Sequence, residues 1–309
     1  MGILRLAHVD VRTPDLDLST AYYTEVRGLQ QVQRTDDPNL GDTAWFKCWD
    51  EEDHHSLRMR YDPRTGLDSF TFRVEREDDL HDFEKKVEAY GCPTTRVSRG
   101  GAIGQGESLR FEVPSGQIME LVWDIEKTGN ILGKHNPSPV PPPDLPGIAP
   151  PRMDHMLVNA EEVAESAAFF IDVLGLRMTE QVLDGNGHQL GVWLAGNTHS
   201  PHDIAIVNGP NGALHHWAYW LDDWDHVRKA ADTLAYNGVT IDVAPTRHGV
   251  TRGYTVYFFD PVGNRNEMFT GGYWVDPDTE IITWTEQEFG KGLFYYENVI
   301  SQRFLRMHT

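Results

Sequence analysis

The stretch Thr246-Arg247-His248, continued through Val256-Tyr257-Phe258-Phe259-Asp260-Pro261-Val262-Gly263-Asn264-Arg265-Asn266-Glu267, decides the fold. Val256, Tyr257, Phe258 and Phe259 are strand formers, and Asp260, Pro261 and Gly263 are turn formers. The segment therefore reads as strand, tight turn, strand. Glu267 opens the second strand, just before the apolar Met268 and Phe269. A carboxylate there faces either solvent or a buried site, and a buried carboxylate needs a partner such as a metal. The same turn occurs earlier as Phe111-Glu112-Val113-Pro114-Ser115-Gly116, followed by Glu120, at a constant offset of 147. That offset also carries Gly28 onto Gly175, Tyr22 onto Phe169 and His8 onto His155. A fixed offset over this length makes the chain two homologous halves.

Each half reads as two βαβββ modules, an α+β architecture. In the first half, Leu6–Val11 alternates as a strand. Leu16–Val26 then has a helical apolar pattern that stops at Gly28, and short strands are expected at Gln30–Arg34, Thr43–Lys47 and Ser56–Arg60. The second module opens near Ser69 and carries a helix over Asp79–Tyr90, ended by Gly91. Between Pro137 and Pro151 eight of fifteen residues are proline, which excludes helix and central strand and predicts a semi-rigid linker. The expected division is an N-terminal structural domain over 1–136, a linker over 137–152 and a catalytic domain over 153–309. The second half repeats the pattern with a strand over Met153–Val158, helices over Val163–Val173 and Val227–Tyr236, and a strand from His216. Beyond Gly272 the first half offers no counterpart, and Thr285–Arg306 reads as a C-terminal helical extension.

The repeat sorts the candidate ligands. His155, His216 and Glu267 stand at equivalent strand starts, and the offset relates them to His8, Ser69 and Glu120. Chance placement of three metal-capable residues with a degenerate copy one repeat earlier is the weaker reading. Two imidazoles and one carboxylate form the facial triad of non-haem Fe(II) oxygenases, with adjacent positions left for substrate and dioxygen. His215 precedes His216, and adjacent strand residues face opposite sides, so only one of the two joins the cluster. Serine is a poor ligand for iron, so the first half reads as metal-free.

With these residues in view, the chain resembles the extradiol ring-cleavage dioxygenases of the vicinal oxygen chelate superfamily, along nearly its whole length. The resemblance implies Fe(II)-dependent cleavage of catechol or a small alkylcatechol by dioxygen, giving a 2-hydroxymuconic semialdehyde, in aromatic-compound degradation. A larger diol such as 2,3-dihydroxybiphenyl is the alternative substrate, and Mn(II) the alternative metal. It also implies an acid–base role for His202, with His199 as the alternative, and hydrogen bonds to substrate from His248 and Tyr257. Trp193, Val250 and Phe304 would line the pocket, the C-terminal extension would cover its mouth, and the chain would form a homotetramer. Read alone, each of these is an ordinary loop or core residue. Two rival classes use the same modules: a glyoxalase-like isomerase, whose ligands come from both module pairs, and a metal-free binding protein.

Composition narrows the partners. A net charge of −20 argues against nucleic acid, whose phosphates need a basic footprint. No apolar run reaches membrane-spanning length, and the opening residues do not form a secretory signal. Cys48 and Cys92, the two cysteines, read as free thiols of a cytoplasmic protein. His54, His55, His81, His135, His188, His226 and His308 receive no functional reading, and the acidic loop around His54-His55 reads as solvated.

Overall fold

The computed structural model describes residues 2–135 and 140–309. Four βαβββ modules follow one another. They are β1 (Ile3–Thr13), α1 (Leu16–Ala21), β2 (Gln30–Asp37), β3 (Gly41–Lys47) and β4 (Leu57–Tyr61); then β5 (Gly66–Val74), α2 (Asp79–Tyr90), β6 (Thr94–Val97), β7 (Ser108–Glu112) and β8 (Ile118–Val122). The second half supplies β9 (Arg152–Ala160), α3 (Val163–Ala168), β10 (Arg177–Leu183), β11 (Gln189–Ala195) and β12 (Ile204–Asn208); then β13 (Leu214–Trp220), α4 (Trp224–Tyr236), β14 (Ile241–Arg247), β15 (Gly253–Phe259) and β16 (Arg265–Gly271). Each half closes on one sheet, ordered β2-β3-β4-β1-β5-β8-β7-β6 and β14-β15-β16-β13-β9-β12-β11-β10, with β17 (Ile282–Thr285) added beside β10. Within a module the first strand pairs parallel with the last, and the antiparallel pairs β1–β5 and β9–β13 join the modules at the centre.

The expected helix over Leu16–Val26 is α-helical only to Ala21 and continues as a π-turn over Tyr22–Val26. The second half repeats this, with a π-turn over Phe169–Val173. The extra residue per turn lets consecutive aromatics, Tyr22 and Tyr23 or Phe169 and Phe170, all enter the core. Helix α2 matches its expected span and ends at Gly91, whose φ of 108° suits glycine. Helix α4 starts at Trp224, earlier than expected, because the Asp223 side chain caps it by accepting the His226 N–H.

Of the linker, positions 137–139 lie outside the described residues, as does the expected boundary at 136. Residues 140–151 form neither helix nor strand. They dock on the first half, where the Ile148 and Ala149 amides donate to the Val26 and Arg27 carbonyls. The two halves also share a core: the Tyr23 ring stacks on Trp217 at 6.5 Å, and its hydroxyl donates to Asp260 in the turn before Glu267.

The extension beyond Gly272 is less helical than expected. It holds β17, a 3-10 turn and two five-residue helices, α5 (Phe289–Leu293) and α6 (Gln302–Arg306). The left-handed Asn298 breaks the run that a single helix needs, and Gly290 and Gly292 within α5 lower its helix propensity.

Candidate active site

His155 lies on β9, His216 on β13 and Glu267 on β16, three neighbouring strands at the centre of the sheet. All three are buried, and their ligand atoms lie within 4.8 Å of one another. Glu267 Oε2 is 3.1 Å from His155 Nε2 and 3.0 Å from His216 Nε2. The other ring nitrogen of His155 is 2.8 Å from the Asp154 carboxylate, which aims Nε2 into the site. Glu267 Oε1 accepts from the Thr255 hydroxyl at 2.5 Å. Burial opposes charge on Glu267, but His155 and hydrogen bonds from both histidines hold its carboxyl well below the usual range. Burial also disfavours the charged form of His155, yet Glu267 and Asp154 override it and push its pKa up to about 9. Burial lowers His216 to about 4. A buried anion converging with two imidazoles is the donor set that suits a divalent iron or manganese ion, and each oxygen and nitrogen already has an orienting neighbour.

The cluster opens into a cavity of about 610 Å³ lined by apolar side chains, among them Leu157, Leu190, Val207, Phe269 and Leu293. The residues expected to act on or hold the substrate all line it: His202, His248, Tyr257, Trp193, Val250 and Phe304. His202 packs against His155 with ring centres 4.0 Å apart and planes tilted by 43°, and its Nδ1 is buried without a hydrogen-bond partner. Burial and the charge of His155 keep this imidazole neutral, its pKa well below the ordinary value. His199 instead stacks on Trp274 at 4.0 Å, and its Nδ1 meets the Val275 carbonyl outside the cavity. His248 Nδ1 contacts the Leu293 carbonyl, an acceptor, so Nδ1 carries the proton and Nε2 accepts from the Tyr257 hydroxyl at 2.9 Å. Burial and the adjacent Glu267 raise the Tyr257 phenol well above its ordinary value, so it stays a donor. His215 stands behind the ligand set and outside it: its Nδ1 lies 2.7 Å from Nδ1 of His216, and its Nε2 2.9 Å from the Phe304 carbonyl. Thr255 was missed, although it shares a strand face with Tyr257 two residues on. His308, given no role, also lines the cavity, because the extension folds back over the mouth.

Comparison with known proteins gives the family. Residues 152–268 match the family model for the Glyoxalase/Bleomycin resistance protein/Dioxygenase superfamily, and residues 67–126 match that for the catechol 2,3-dioxygenase-like N-terminal domain. The chain is 36% identical to the metapyrocatechase of Pseudomonas sp. (strain CF600), covering 100% of this chain and 99% of that one. The chain belongs to the extradiol dioxygenases. It is also 34% identical to the manganese-dependent 2,3-dihydroxybiphenyl 1,2-dioxygenase of Geobacillus genomosp. 3, over 95% and 94% of the two chains. Its structure superposes on that of the 2,3-dioxygenase LapB from Pseudomonas sp. KL28 with a TM-score of 0.86 and 40% identity, covering 92% and 98%. The isomerase and binding-protein readings are thereby set aside.

The first half of this dioxygenase holds a charged counterpart of the site. His8 is 2.9 Å from Asp10 and 3.0 Å from Gln105, and Glu120 accepts from Arg110 at 2.5 Å and from Ser108 at 3.1 Å. Ser69 donates to Asp10 at 2.8 Å, and the Arg58 guanidinium lies 3.1 Å from that same carboxylate. His8, Asp10 and His55 also form a group whose geometry suits a metal, but the Arg58 cation competes for its anion. His54 and His55 are buried, contrary to the solvated loop expected. The His55 ring packs on His8 at 4.4 Å as His202 packs on His155, and positions 55 and 202 are related by the same offset of 147. That relation is the sequence signal for His202 that the motif reading left unused.

Proposed function

We propose that this extradiol dioxygenase cleaves catechol or a small alkylcatechol beside the diol, with both atoms of dioxygen entering a 2-hydroxymuconic semialdehyde. The observation that carries the proposal is the convergence of His155, His216 and Glu267 at the head of an apolar cavity. These residues would hold Fe(II), or Mn(II), which accepts the same ligands. When bound, the metal supplies Lewis acidity and a common meeting point for diol and dioxygen. His202, neutral and with a free buried nitrogen, takes a proton from a substrate hydroxyl and returns it as the ring opens. Tyr257 and His248 act as a hydrogen-bonded pair: the phenol gives its proton to His248 Nε2, and its oxygen accepts from a substrate hydroxyl. Trp193, Val250 and Phe304 hold the ring face and edge by apolar contact.

A second reading, a larger diol such as 2,3-dihydroxybiphenyl, is favoured by the cavity volume of about 610 Å³, which exceeds the needs of one ring. Residues 153–309 would form the catalytic domain, and 1–136 a structural domain that binds no metal, with residues 137–152 between them. We place the enzyme in the cytoplasm, as a homotetramer. The test is a comparison of initial rates on catechol, 4-alkylcatechols and 2,3-dihydroxybiphenyl after anaerobic loading with Fe(II) or Mn(II). The proposal expects the highest kcat/KM on catechol or an alkylcatechol with Fe(II). A biphenyl diol preferred tenfold would transfer the assignment to the second reading.

A further inference from the structure

We infer that Glu180 is a positioning residue that sets the loop carrying His248 and Val250; the inference rests on the function proposed above. Glu180 sits on β10, outside the ligand set, and is fully buried. One carboxylate oxygen accepts the backbone N–H of Thr251 at 2.6 Å, and the other accepts Nε1–H of Trp284 at 2.7 Å. Thr251 and Arg252 are consecutive non-glycine residues at φ of 55° and 56°. A β-branched residue avoids that left-handed region. The repeat shows what an unsupported chain uses there: the offset of 147 relates Thr251 to Gly104, whose φ is 78°. Glycine takes this conformation freely, and Gln33, the counterpart of Glu180, is not buried. In the second half threonine occupies the turn, and a buried carboxylate holds its amide.

The strap reaches further. Trp284, on β17, packs beneath the same loop: a Cβ added at Gly249 would lie 3.0 Å from its ring. The Gly249 and Val250 amides both donate to the Gly292 carbonyl in the extension. Glu180 thus ties the sheet, the His248–Arg252 turn and the cover of the cavity at one point. Val250 and Thr251 line the cavity, and His248 meets Tyr257 from the turn's other end. Displacement of this turn misaims the groups facing the substrate and leaves the metal ligands where they are.

The test compares Fe(II)-loaded wild type, Glu180→Gln, Glu180→Leu and the double variant Glu180→Leu/Thr251→Gly. Iron content, kcat, KM for catechol and amide exchange over residues 247–252 are measured. Glu180→Leu is expected to keep its iron, to lose up to about 100-fold in kcat and to exchange the Thr251 amide at least tenfold faster, with Glu180→Gln in between. Thr251→Gly in the Glu180→Leu background recovers most of kcat, because glycine needs no strap. Should Glu180→Leu fail to fold, the Gln variant with and without Thr251→Gly makes the same comparison. Unchanged exchange, activity lost in proportion to iron, or no recovery with glycine would each overturn the inference. If wild type cleaves no diol, the proposed function fails, and the exchange data alone still decide the role of Glu180.

Discussion

His202 shows how much a single position depends on its surroundings. Its sequence context, Ser200-Pro201-His202-Asp203, carries no motif, yet the fold packs the ring against His155 with one nitrogen free. On the proposed function, a group in that place exchanges protons with substrate without serving as a ligand. His202→Phe is therefore expected to retain bound iron and catechol affinity while kcat falls by 10²–10⁴. His199→Phe, which removes a ring stacked on Trp274, should change kcat little. Steady-state kinetics with iron analysis check both. The neighbouring Asp203 predicts a pH effect. Burial raises its carboxyl from 3.8 to about 6, although it accepts from the Gly196 amide and the Thr198 hydroxyl at 2.8 Å each. An acid whose folded pKa is raised binds its proton more tightly in the native state. Stability therefore falls as pH rises from about 4 to about 6 and stays level above that, by roughly 3 kcal/mol in all. Asp203→Asn should flatten this slope in urea melts across that range, and an unaltered slope would contradict the account. Asp154, Thr255 and Glu180 were not legible from residue spacing, because their partners become neighbours only through sheet pairing and loop contact.

At the scale of elements, the periodic segments were the readable ones. Helix α2 and the sixteen strands that flank the modules' helices or follow them in short alternating runs obey local patterning, and the 147-residue repeat doubles each signal. The extension was harder to read. Its aromatic and glycine-rich stretch takes shape from what it covers: Phe304 packs against Tyr257 and Phe294 at 4.9 Å each, and Arg265 donates to the Met307 carbonyl at 2.6 Å while its guanidinium lies 4.9 Å from the Phe304 ring. Those contacts join α6 to the strand that bears Glu267. Phe304→Ala deletes apolar surface worth about 1.5–3 kcal/mol when buried. Since the ring closes the cavity and touches no ligand, KM for catechol should rise about tenfold or more at unchanged iron content. A normal KM in that variant would show that α6 does not cover the bound substrate.

The whole molecule consists of two halves with one ancestry and different contents. In the second half a carboxylate converges with two imidazoles, a donor set that suits a divalent cation. In the first half the cations are built in: Arg58 lies beside Asp10 and Arg110 beside Glu120. The Ser69 position was legible as the break in the repeat; the two arginines were not, because their counterparts at the same offset, Ala205 and Tyr257, suggest no charge. No helix among the described residues is long and apolar enough to cross a membrane. The central claim is that one metal site, made by His155, His216 and Glu267, carries ring cleavage. It is tested most directly by titrating anaerobic metal-free protein with Fe(II) and measuring, after addition of catechol and air, the yellow ring-cleavage product formed per chain. The account predicts activity that saturates at one iron per chain, survives His8→Ala, and is lost with most of the bound iron in Glu267→Gln. Saturation at two irons with sensitivity to His8→Ala, or full activity in Glu267→Gln, would contradict it.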